Sequence, residues 1–170
     1  MAADFLIPWS ARVFVVCYYA RICLDVTARK DAGAQRMGRY FWSAGCLIFL
    51  LHVALAFHYR HGWNHSLAYE HVLERTVAAT GIPTGIGIYV NYCFGIIWLV
   101  DTFAWWRDLG WSQCRKAYWT VQALFGFLMI QSTAVFGPPF WIPVTVTAIV
   151  LLVALAVVQP WNRMPFPSTP

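Results

Sequence analysis

Residues 40–58 read YFWSAGCLIFLLHVALAFH, nineteen in a row without one Asp, Glu, Lys or Arg. A helix crossing the hydrocarbon core of a bilayer needs about 20 mostly apolar residues. This stretch is apolar on every side, not along one stripe, so as a helix it belongs in lipid or at the centre of a large core. Four more runs of comparable length flank it, at residues 5–26, 84–106, 117–135 and 140–158. The sequence therefore predicts an all-α integral membrane protein: five transmembrane helices in a single embedded bundle over residues 1–163, followed by an irregular tail at 164–170.

Composition supports that class. Hydrophobic residues make up 60% of the 170-residue chain and charged residues 11%, against about 25% charged in an ordinary soluble domain. The apolar runs far exceed the roughly ten alternating residues of a barrel strand, which excludes a membrane barrel. Asp4 and Arg12 break the pattern of a secretory signal, so the first run is expected to stay as a span.

The net charge of +5 does not signal nucleic acid, because of where the cations fall. Arg29, Lys30, Arg36 and Arg39 lie between spans one and two, Arg107, Arg115 and Lys116 between spans three and four, and Arg163 after span five. The opposite side carries only Arg60 and Arg75. Eight against two is the bias of cytoplasmic loops, and it predicts a bacterial inner membrane protein with its N-terminus outside and C-terminus in the cytoplasm. The aromatic belt agrees: Trp9, Trp63 and Trp141 fall near the outer interface, and Trp42, Trp105, Trp106, Trp111, Trp119 and Trp161 near the inner one, leaving only Trp98 mid-span. Cys17, Cys23, Cys46 and Cys93 fall within spans and read as small buried hydrophobes.

The outer connection, residues 59–83, is the long one. Within it Ser66 to Thr80 reads as a helix along the outer interface, capped by Asn64 or Ser66 and stopped by Gly81 and Pro83. Phe136-Gly137-Pro138-Pro139 reads as a tight turn that makes spans four and five an antiparallel hairpin.

Polar groups inside spans are costly and normally face a bundle interior. Arg12, His52, Asn91 and Gln131 all fall within one or two turns of the outer ends of their helices and predict a polar layer at one depth, joined by Thr145 and Thr147. Gly87, Asn91 and Gly95 share a small-residue stripe suited to helix contact. For span four a competing face runs through Gln122, Gly126 and Thr133. Near the cytoplasmic side Arg21 and Asp25 stand at i, i+4, and Asp101 is placed to join them as an ion-pair set.

All five histidines lie between residues 52 and 71. His58, His61, His65 and His71 form a candidate metal set, since imidazole is a good ligand for zinc, copper or iron. Haem is a second candidate cofactor, with His52 as the ligand well inside a span. No spacing matches an established metal signature. Two functions remain open: an accessory or scaffold subunit of a larger, possibly bioenergetic, membrane complex, partnered by lipid and other membrane subunits, or a small membrane enzyme or electron-transfer protein using the outer histidines.

Overall fold

A computed structural model describes residues 2–28, 31–109, 114–135 and 137–158. Every regular element among them is helical. In chain order they are α1 (Ala2–Thr27), α2 (Ala32–Arg60), α3 (His65–Thr80), α4 (Gly87–Trp106) and α5 (Arg115–Ile130). A single π turn (Gln131–Val135) continues α5, and α6 (Trp141–Val158) completes the series. Three of these, α1, α2 and α4, are long and apolar enough to cross a membrane. The residues 164–170, position 136 of the expected turn, and Arg29, Lys30, Trp111, Trp161 and Arg163 lie outside the described residues.

Local chemistry sets the helix ends. Asp31 caps α2 by accepting the Ala34 N–H at 2.6 Å, so α2 starts eight residues before the apolar run and draws Arg36 and Arg39 into the helix. Asn64 caps α3, its Oδ1 accepting from Ser66 and Leu67, and Gly81 ends it with a left-handed φ of 76°. The helix expected at Ser66–Thr80 is thus present, one residue longer at its start.

The helices α1 and α2 make the most extensive contact, an antiparallel pair tied by Arg60 to Asp4 at one end. At the other end Arg39 reaches Asp108 beyond α4 at 2.6 Å. The core is aromatic. Trp98 is fully buried between Trp42 (5.1 Å between ring centroids) and Phe125 (5.1 Å, edge-on), with Phe14, Tyr18, Phe49 and Phe94 around them. Apolar transfer contributes little between helices already in lipid, so fit decides the packing. Gly45 provides that fit: a Cβ there would stand 2.8 Å from Trp98 Cζ2. Trp42, expected at the inner interface, is instead 2% exposed within this core. Its ring packs 5.1 Å from Trp98 and 4.8 Å from Phe125, and Gly45, one turn away, admits the Trp98 ring beside it. Cys17 and Cys46 are buried as expected, whereas Cys23 and Cys93 face outward.

Candidate functional site

One polar cluster is fully internal. Arg21 and Asp25, one turn apart on α1, form an ion pair at 3.1 Å with Arg21 only 2% exposed. The Tyr118 hydroxyl of α5 donates to Asp25 Oδ2 at 2.6 Å. The guanidinium carbon lies 4.1 Å from the Trp105 ring centroid, a cation–π contact. Asp101 of α4, 5% exposed, faces Trp42 and lies within electrostatic reach of both Arg21 and Asp25. Gly38 of α2 makes the room, since a Cβ there would overlap Arg21 Nη1. Arg21, Asp25 and Asp101 are therefore brought together as expected. Tyr118, Trp105 and Gly38 were not legible as partners, because each comes from a helix whose rotation only packing sets.

The residues of the expected outer polar layer do not share one set of contacts. His52 Nδ1 lies 3.1 Å from the Ile7 carbonyl and 3.0 Å from Ser10 Oγ. A carbonyl only accepts, so Nδ1 carries the proton in this neutral tautomer. Pro8 has no N–H to give within α1, and Ser10 Oγ donates back toward the Leu6 and Ile7 carbonyls at 2.8 and 2.9 Å. Ser10 was not expected here. Arg12 does not join His52. It is half-buried between aromatic rings, with its guanidinium carbon 4.9 Å from the Trp9 centroid and 5.3 Å from Phe140. Asn91 is exposed, contrary to the interior position expected for it. The stripe it shares changes partner along α4: Gly87 meets Val72 of α3, Gly95 meets Phe49 of α2, and Asn91 sits at the change. Along α5 and its π turn the competing face is the buried one. Gln122 and Thr133 are buried while Gln131 is half-buried. The π turn adds a residue to the helical repeat and swings Thr133 toward α6, where Thr145 Oγ1 donates to Thr133 Oγ1 at 2.9 Å.

The outer histidines part company. A left-handed Gly62–Trp63 pair reverses the chain after α2 and leaves His61 8% exposed, its ring 5.3 Å from His71. Burial, and then the neighbouring charges of His71 and Arg60, hold the His61 imidazole below its ordinary pKa. His65 goes elsewhere: Nδ1 meets Tyr92 Oη at 3.1 Å and Nε2 meets Tyr89 Oη at 3.2 Å. A neutral ring donates to one phenol and accepts from the other. His58 is exposed, its ring against Tyr59. The expected metal set of His58, His61, His65 and His71 is therefore split in three, because tyrosines on α4 claim His65. Among the described residues no three His, Cys, Asp or Glu side chains converge as a metal site. His61 and His71 are the pair placed to share an ion, and further ligands would have to come from outside that pair. The chain matches no family model, no curated protein and no solved structure.

Proposed function

We propose that the chain is a five-span protein of the bacterial cytoplasmic membrane, N-terminus outside and C-terminus inside, that serves as an accessory or scaffold subunit of a larger membrane complex. Two further spans are supported by length. The 16 residues of α5 run on through the 5 of the π turn, and α6 has 18. At about 1.5 Å per residue each reaches close to the bilayer core. The orientation follows the eight-to-two distribution of cations.

The observation that carries the scaffold reading is the apolar surface that the helices present. Inside, Arg21 pairs with Asp25, which accepts from Tyr118, and His52 meets Ser10 and the Ile7 carbonyl, while Trp98 Nε1 and Gln122 Oε1 are buried without a hydrogen-bond partner among the described residues. Large apolar side chains such as Leu47, Leu51, Ile96, Phe103, Val150 and Leu151 point outward from three helices. A bundle so apolar on its outside offers that surface as the working part. Cross-linking in native membranes, followed by native electrophoresis, should find the chain in an assembly well above its own 19.4 kDa. Migration as a free monomer in mild detergent, with no cross-linked neighbour, would remove the scaffold reading.

The Tyr89–His65–Tyr92 chain favours a second reading, a small electron-transfer protein, since phenol–imidazole hydrogen bonds let a proton move with an electron. A haem or metal band in the visible spectrum of untagged protein, with stoichiometric metal by elemental analysis, would support it over the first.

A further inference from the structure

An open cleft of about 580 Å³ lies where α3 and α4 begin. Its walls include Tyr69, Glu70, Thr84, Ile86 and Tyr89, with His65 at its back. The rings of Tyr69 and Tyr89 stand 6.4 Å apart at 58° to one another, and the His65 ring is 5.6 Å from Tyr89. Tyr69 is fixed in place because its ring lies flat over Gly85, where a Cβ would come within 2.8 Å of three ring carbons. Tyr89 is fixed from behind by its hydrogen bond to His65. The cleft thus presents aromatic faces that do not need to be ordered on binding.

Charge selects the ligand. Glu70 is exposed and, among the described residues, makes no ion pair, so the cleft carries a carboxylate without a counter-charge. The start of α3 would ordinarily attract an anion, but Asn64 Oδ1 already accepts from the Ser66 and Leu67 N–H groups at 2.9 and 3.3 Å. Both ring nitrogens of His65 are likewise taken by phenols. What is left is one negative charge beside two π faces, the combination that recognises an organic ammonium. A divalent metal would find one carboxylate where it needs several oxygens.

We propose that this cleft binds an alkylammonium group, with Glu70 as counter-ion and the Tyr69 and Tyr89 rings as walls. Such a group has two sources, the headgroup of an aminophospholipid or a free amine in solution. The cleft opens at the start of α4, which is long and apolar enough to cross a membrane, with exposed Trp63 just before α3, and this is headgroup depth for a membrane protein.

The test uses the full chain in nanodiscs of phosphatidylglycerol, with and without added phosphatidylethanolamine, and reads retained lipid by native mass spectrometry. A second arm titrates free ethanolamine by saturation-transfer NMR. Glu70→Gln and Tyr89→Leu should each weaken binding by about fivefold, whereas Tyr89→Phe, which keeps the π face, should retain it. Circular dichroism melts confirm that each variant folds. Retention of phosphatidylethanolamine with that pattern assigns a lipid ligand. Binding of ethanolamine alone, with the same pattern, assigns a soluble amine to the same site. Failure of both probes to bind, or binding indifferent to Glu70→Gln and Tyr89→Leu, overturns the proposal.

Discussion

Replacing Arg21 by alanine should unfold the bundle from its most buried charged point. The guanidinium is 2% exposed, paired with Asp25 at 3.1 Å and stacked 4.1 Å from the Trp105 centroid. Removing it leaves Asp25 and Asp101, both under 10% exposed, with no cation between them. Deleting one partner of a buried ion pair costs about 3–5 kcal/mol, chiefly because the survivor is left buried and charged. Loss of the desolvated cation–π contact adds up to about 2 kcal/mol. The Tyr118 hydrogen bond to Asp25 softens the loss but cannot neutralise the charge. The double variant Arg21→Met with Asp25→Asn removes the pair, leaves only Asp101 without a cation, keeps an oxygen to accept from Tyr118, and keeps volume at position 21. It should recover more than half of the single variant's loss. Reversible unfolding in mixed micelles, read by tryptophan fluorescence, gives both values. If Arg21→Ala lies within about 1 kcal/mol of the parent, or the double variant is no better than the single, burial of an uncompensated carboxylate is not what holds this cluster.

Gly45→Ala should destabilise by about 1–3 kcal/mol through overpacking against Trp98, and Trp98→Phe in the same chain should recover part of it. Asn64→Ala should cost about 1 kcal/mol and expose the Ser66 and Leu67 amides to hydrogen exchange without affecting α4. His61, held below the ordinary value of about 6.5 in the folded state, contributes stability that is complete above that pH and lost as pH falls through its lowered folded value. Imidazole NMR should place its midpoint below 6.5, and His71→Asn should raise it; a midpoint at or above 6.5 would refute the pairing. A chain with Cys114 as its sole cysteine should react with an impermeant maleimide in inside-out vesicles and not in intact cells. Its thiol is exposed and lowered in pKa by the Ala117 and Lys116 backbone N–H groups, and the reverse labelling would invert the topology.

Much of the architecture was legible because it rests on local rules. Runs of apolar residues marked the helices, and Asn64 with Gly81 marked α3 to within a residue. Arg21 and Asp25 were legible for the same reason, since i, i+4 spacing on one helix needs no knowledge of its neighbours. Asp101 joined them because helix direction fixes depth.

Rotation about the helix axis is not legible in the sequence, and the reason is physical. In lipid, polarity on a helix face is a weak guide to which face is inside, because small residues and ring shapes decide the fit. Gly87 and Gly95 point Asn91 inward in the sequence, yet those glycines serve two different partners and Asn91 is exposed between them. Thr133 takes the place expected for Gln131 because a π turn, invisible in composition, shifts the phase of the helix after α5 by one residue. Trp42 followed the interfacial rule for tryptophan in position but not in environment. One turn from Gly45 it found a cavity shaped by Trp98 and Phe125, and ring packing outweighed the pull of the headgroup zone. The histidines failed in the same manner. Five imidazoles within twenty residues looked like a ligand set, but α4 supplies two phenols that reach His65 first. Clustering in sequence states only that groups can meet. Which of them do meet is set by the helix packed opposite, and here that helix carries tyrosines, so the polar chemistry of this face centres on phenol, imidazole and the Glu70 carboxylate, not on a ring of histidines.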